Sequence, residues 1–242
     1  MADPIHQFEI KKIIPIEINN IDLSFTNSSL FMMLTVLFIS IFLISSIKKK
    51  KIIPTRLQSV SEIFYEFIAN MINDNIGNKG QKFFPLIFTL FTFILFGNLL
   101  GLLPYSFTFT SHIIVTFVMA MFIFLFVTLI GIMMHGFKFF GLFVPKGVPM
   151  AMLPLMVPIE IISYLSRPVS LSIRLFANMM AGHTMLKVFG GFVISLGLLG
   201  GWLPLSFSVA LTGLEILIAF LQAYVFAILT CIYLNDALNL HH

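Results

Sequence analysis

Apolar residues come in long runs broken by short polar stretches, and the lengths of the runs predict membrane helices. Residues 23–47 contain no charged side chain. About 20 apolar residues cross the ~30 Å of bilayer hydrocarbon, so a first span is expected over 30–47, closed by the basic run Lys48–Lys51. After Pro54 the pattern changes. Leu57, Val60, Phe64, Phe67, Ile68 and Met71 recur at helical spacing opposite Gln58, Glu62, Glu66, Asn70 and Asn73. This predicts an amphipathic helix over 55–75, lying on the inner membrane surface. Between Phe83 and Phe137 no Asp, Glu, Lys or Arg occurs. A spanning hairpin over 83–135 follows, broken at Pro104-Tyr105-Ser106 and the polar Thr108–His112 stretch.

A turn with Lys138, Pro145, Lys146, Gly147 and Pro149 precedes a long, unusually polar segment over Met150–Gly190. Gly190-Gly191, Gly200-Gly201 and Pro204 punctuate its far end, and Leu205–Leu234 forms the last segment, with Glu215 its one charge. A helix of about forty residues would be ~60 Å long, twice the hydrocarbon thickness. Residues 150–238 therefore read as a hairpin of two long, strongly tilted, near-horizontal helices; breaks at Pro154, Pro158 and Pro168 are the other way to fit them. The fold class is an all-α integral membrane protein, one membrane domain over 1–242 with five membrane passages.

Composition agrees: 59% of residues are hydrophobic and only 10% charged, too few to cover a water-soluble surface. Residues 1–22 mix acids and lysines with no apolar core, so no cleavable signal is expected. The single cysteine, Cys231, excludes an intrachain disulfide and reads as packing. No CxxC, HExxH, GxSxG or Gly-rich phosphate loop occurs, so the chain is expected to have no catalytic site, metal or cofactor of its own. The net charge of +4 reflects the Lys48–Lys51 run beside a span, a topology signal and no sign of nucleic-acid binding. With Lys138 and Lys146 on the same side, the N-terminus is expected outside and the C-terminus inside; Lys187 is a mild dissent.

Several ionisable groups interrupt the last two helices, and an intramembrane ionisable group is by default a functional one, since an Arg at mid-membrane costs ~2.5–3.5 kcal/mol on insertion scales. Glu160, Arg167 and Arg174 recur at seven-residue steps with Ser163, Ser170 and Asn178 beside them, forming one polar stripe. His183 falls on the opposite face. On the last helix Glu215, Ala219, Gln222, Phe226, Thr230 and Tyr233 share a face. Counting outward from a hairpin centred near Leu199 pairs His183 with Glu215, brings Arg174 near Gln222 and brings Glu160 near Asp236. Two titratable clusters, separated by a fixed positive charge, suggest two half-channels and a barrier. His and Glu exchange protons near neutral pH, whereas Arg stays protonated. The plainer reading makes Ser163, Ser170 and Asn98 ordinary interhelical hydrogen-bonding groups, and leaves Arg167 open between the two.

The run from Ser166 to His183, Ser-Arg-Pro-Val-Ser-Leu-Ser-Ile-Arg-Leu-Phe-Ala-Asn-Met-Met-Ala-Gly-His, resembles the signature of subunit a, also called subunit 6, of F-type ATP synthases. Asn98–Pro104, Thr212–Glu215, Leu221–Phe226 and Tyr233–Asp236 extend the resemblance over nearly the whole chain. It implies a non-catalytic, proton-translocating stator subunit facing a ring of c subunits, with the peripheral stalk, other membrane-sector subunits and lipids, cardiolipin included, as partners. It further implies that Arg174 blocks direct leak, that Gln222 and Asn178 accompany it, that Asn98, His183 and Glu215 line the outer path, and that Glu160 and Asp236 line the inner one. The order of His183 and Glu215 resembles mitochondrial members, and the AT-rich residue usage and absent import presequence fit; the expected site is the mitochondrial inner membrane, N-terminus in the intermembrane space and C-terminus in the matrix, with a bacterial inner membrane as alternative. A stand-alone transporter or channel, and a structural subunit of a respiratory complex, remain as other readings.

Overall fold

The long apolar runs are helices. The computed structural model describes residues 8–15, 17–18, 21–22, 24–48, 54–103, 106–143 and 152–239. Lys49–Lys51, Pro104-Tyr105 and the Pro145–Pro149 turn lie outside the described residues. Six α-helices are arranged in chain order: α1 Asn27–Ile47, α2 Arg56–Asn75, α3 Phe84–Gly101, α4 Ile113–His135, α5 Leu153–Gly200 and α6 Trp202–Leu238. All but α2 belong to segments long and apolar enough to cross a membrane.

Each end has a local cause. Thr26 caps α1, its hydroxyl accepting from the Ser29 amide at 3.4 Å. Pro85 opens α3, where a missing amide hydrogen costs nothing. Pro158 and Pro168 lie inside α5 without ending it. The break falls at Gly197, whose φ of 63° and ψ of −161° interrupt the helical conformation in a region essentially reserved for glycine. From Leu153 to Gly197, 45 residues, α5 is roughly 65–70 Å long at the usual helical rise. That is about twice the ~30 Å of bilayer hydrocarbon, so an upright helix of this length would protrude far beyond it.

Two features escaped the sequence reading. Two small antiparallel pairings, Lys12–Ile14 with Phe25–Thr26 and Glu17–Ile18 with Ile21–Asp22, fold the N-terminal segment ahead of α1. A 3-10 segment, Gly77–Phe83, joins α2 to α3. Neither carries a periodicity signal. The amphipathic face of α2 is also split: Ile68, Met71 and Ile72 are buried, whereas Leu57 and Val60 are exposed.

Packing is inverted relative to a water-soluble protein. Leu37, Val118, Phe122 and Ile194 are 58%, 61%, 60% and 84% exposed, while Thr35, Thr92, Thr116 and Ser172 are buried. Lipid accepts the apolar exterior, and interior hydroxyls bond across or along helices. Thr116 meets Ser172 at 3.2 Å, joining α4 to α5, and Thr128 meets Tyr164 at 2.8 Å. The Ser46 and Ser61 hydroxyls join α1 to α2. The central core comprises Ile87, Phe91 and Ile94 of α3, Leu171 and Leu175 of α5, and Ala223, Phe226 and Ala227 of α6.

Gly97 and Gly101, one turn apart on α3, admit the segment between α3 and α4. Phe109 packs on Gly97 and Thr108 on Gly101, each where a Cβ would collide. This is the small-residue spacing that lets backbones approach in membranes, and it brings Thr108 into the interior.

Candidate functional site

Three groups of polar side chains occupy the α5–α6 hairpin. The first is buried. His183 of α5 and Glu215 of α6 are 5% and 2% exposed, with Nδ1 2.7 Å from Oε1. The pairing expected from counting outward along the hairpin is therefore present. On its other edge, His183 Nε2 stands 2.6 Å from Thr108 Oγ1 and 3.1 Å from the Gly101 carbonyl oxygen. Phe8 stacks beside the imidazole, with centroids 6.4 Å apart, and its carbonyl accepts from His112 Nε2 at 3.0 Å.

Glu215 reaches this position because Gly182 has no side chain. A Cβ there would fall 2.8 Å from both Cγ and Cδ of Glu215, closer than real contacts allow. Three groups near this end have buried polar atoms without a protein partner among the described residues: both amide atoms of Asn98, Oγ1 of Thr110 and Oε2 of Glu215. Buried polar atoms left unmatched by protein are where internal water is held, because leaving them dry is costly. Asn98 itself is fully buried one turn before Gly101.

The second group lies toward the other end of the hairpin. Arg167 Nη1 donates to Asp236 Oδ2 at 3.2 Å, and its guanidinium lies over the rings of Tyr164 and Tyr233 at 5.2 and 4.9 Å. Counting had brought Glu160 near Asp236. The observed partner is Arg167, two turns further along α5, and Glu160 makes no ion pair among the described residues. Straight counting assumes parallel axes, and over helices this long a modest divergence shifts the register by turns. A guanidinium with a long stem, able to both stack and donate, then captures the carboxylate.

Arg174 belongs to neither cluster. It is exposed, as are Ser163 and Ser170, and Glu160 and Asn178 are half-buried, so the stripe foreseen in sequence looks outward from the bundle except at Arg167, which turns to Asp236. Gln222 is 8% exposed and faces into the bundle with Glu215, Ala219, Phe226 and Thr230. The shared face of α6 is thus as expected, but no hydrogen bond joins Gln222 to Arg174 among the described residues.

Thr108, Gly101, Gly182 and Tyr164 have no role in the sequence pattern, and Tyr233 enters it only as part of the shared α6 face and a motif. Thr108 was read as loop polarity, and Gly101 and Gly182 only as parts of motifs. The signal for the glycines was their place: Gly182 immediately precedes His183, and Gly101 follows Gly97 at four residues.

Comparison with known proteins gives the family. The family profile described as ATP synthase A chain matches residues 29–235. ATP synthase subunit a of Pelagibacter ubique is 64% identical over 242 residues, covering 100% of this chain and 99% of that protein. The Mesorhizobium japonicum protein of the same name is 59% identical over 247 residues, covering 100% and 98%. That of Rhodospirillum rubrum is 57% identical over 241 residues, covering all of both chains. Matched along its full length by these relatives, the chain belongs to the ATP synthase subunit a family.

Proposed function

We propose that this chain is the proton-translocating, non-catalytic stator subunit of the membrane sector of an F-type ATP synthase. The observation that carries the reading is Arg174, a permanent charge turned outward on a membrane helix, between a buried His183–Glu215 pair and an Arg167–Asp236 pair. A charge held there requires a partner surface bearing the opposite charge, and a ring of c subunits with membrane-embedded carboxylates supplies it. In this reading Asn98, His183 and Glu215 line the outer half-channel. Glu160 and Asp236 line the inner one, and Asn178 and Gln222 flank the barrier. Arg174 attracts each passing carboxylate yet keeps its own proton, so it separates the half-channels.

Arg167 modifies the inner path. Its guanidinium occupies the Asp236 carboxylate, whereas Glu160 makes no ion pair among the described residues, so Glu160 is read as the freer group of the inner path. The partners required are the c ring, the peripheral stalk and the other membrane-sector subunits, with lipid, cardiolipin included, covering the apolar exterior.

The membrane is read as a bacterial inner membrane. The mitochondrial assignment rested on the order of His183 and Glu215 and on residue usage, and relatives 57–64% identical over the whole chain are bacterial. The N-terminus is then outside and the C-terminus cytoplasmic, as Lys48 and the neighbouring lysines favour.

The test is Arg174→Ala in the assembled complex in vesicles. Coupled synthesis is expected to vanish and a passive proton leak to open through the membrane sector. Intact ATP-driven pumping would overturn the reading, and full function of Arg174→Lys would favour a structural subunit.

A further inference from the structure

Three side chains converge on one backbone oxygen. The Gly101 carbonyl stands at the last residue of α3, and Ser106 Oγ lies 2.8 Å from it, Thr108 Oγ1 3.1 Å and His183 Nε2 3.1 Å. A carbonyl only accepts. Thr108 Oγ1 and His183 Nε2 are also 2.6 Å from each other.

One proton placement satisfies the contacts among His183, Thr108 and Gly101; the single Ser106 hydrogen is shared with the Leu103 carbonyl at 2.7 Å. With hydrogen on Nε2, the imidazole donates to the Thr108 oxygen and toward Gly101, and the Thr108 hydroxyl donates to Gly101. With Nε2 bare, Thr108 must turn its single hydrogen to the ring. The ring lone pair then faces the carbonyl at 3.1 Å, and the hydroxyl oxygen faces it without a hydrogen. Opposed lone pairs between buried groups are costly, because the low local dielectric strengthens their repulsion.

That placement decides what the other ring nitrogen does. Nδ1 shares the one hydrogen of its 2.7 Å bond with Glu215 Oε1. The Nε2 edge leads to a carbonyl, which passes no proton onward, and Thr108 donates into the same carbonyl. The polar atom of the pair left for exchange is Glu215 Oε2, buried and without a protein partner among the described residues.

We propose that Thr108 and the Gly101 carbonyl are positioning groups that fix His183 in its Nε2–H form, so that the proton of the outer path travels through Glu215 Oε2. His183 is a side branch that orients and balances the carboxyl, and no serial relay passes through its ring. The inference rests on the proton-path reading of this cluster.

Two measurements test it on the assembled complex. The first compares passive proton conductance of the membrane sector, with the soluble head removed, in Glu215→Gln and His183→Gln. Glu215→Gln is expected to lose conductance and His183→Gln to retain a substantial fraction. Equal loss in both overturns the side-branch assignment alone, whereas wild-type rates in both overturn it together with the proton-path reading. The second is a ¹⁵N–¹H spectrum of histidine-labelled complex, with His183 assigned by its absence in His183→Gln. A protonated Nε2 is expected, its proton resonance moving upfield in Thr108→Val and returning in Thr108→Ser. A bare Nε2 in the wild type overturns the proposal even where a variant fails to assemble, and an unchanged spectrum in Thr108→Val removes Thr108 from it.

Discussion

Arg167 reaches across the hairpin to Asp236, 3.2 Å away, and lies against Tyr164 and Tyr233, one ring from each helix of the hairpin. Removal of the guanidinium in Arg167→Leu is expected to destabilise this end by about 1–2 kcal/mol, a partly exposed ion pair of under ~1 kcal/mol plus ring contacts of similar size. Arg167→Lys keeps the charge and loses the planar stacking, so it should fall between. Unfolding in detergent measures both; a wild-type midpoint for Arg167→Leu would remove the clamp.

Gly182→Ala places a methyl group where the Glu215 carboxyl lies. The carboxyl must swing away from His183, so proton conductance is expected to drop toward the level of Glu215→Gln. The complex should still appear intact on a native gel. Normal conductance with intact assembly would show that the close approach of Gly182 to Glu215 does not matter for the path.

Gly197→Ala puts a side chain on a residue with φ of 63° and ψ of −161°. Strain of this kind costs about 1–3 kcal/mol. Lower thermal stability with near-normal turnover of the surviving complex is the expected result, because the turn is remote from the His183–Glu215 pair. An unchanged midpoint would mean that the turn readily adopts another conformation.

Tyr164→Phe removes the hydroxyl that meets Thr128 at 2.8 Å and keeps the ring under Arg167. Thr128 retains its bond to the Phe124 carbonyl at 2.7 Å, so no buried group is orphaned and the loss should stay near or below about 1 kcal/mol. A loss as large as that of Arg167→Leu would show that the hydroxyl, and not the ring, anchors the clamp.

Membrane helices were legible because their solvent imposes length: α1 and α2 begin within a few residues of the expected 30 and 55 and end at the expected 47 and 75. The spanning hairpin over 83–135 and the long hairpin over 150–238 likewise match α3 to α6 in order and kind. The His183–Glu215 contact could be counted because it lies near the turn, where little register error accumulates. Farther out, counting chose Glu160 for Asp236, because a one-dimensional ruler cannot sense how helix axes diverge. Thr108 was illegible as a site residue because its position depends on Gly97 and Gly101 letting a loop sink inward, which no periodicity encodes. The N-terminal strand pairs, too short to carry a pattern, were illegible for the same reason.

The outward turn of Arg174 also bears on the life of the chain before assembly. A lone copy holds that charge against acyl chains, at a cost of ~2.5–3.5 kcal/mol on insertion scales. Any neighbour that replaces hydrocarbon with a carboxylate relieves the cost, so under the proposed function the charge that bars leak would also favour docking of a carboxylate-bearing partner. Under that reading an orphaned copy differs from an assembled one in the polarity of a single outward-facing spot.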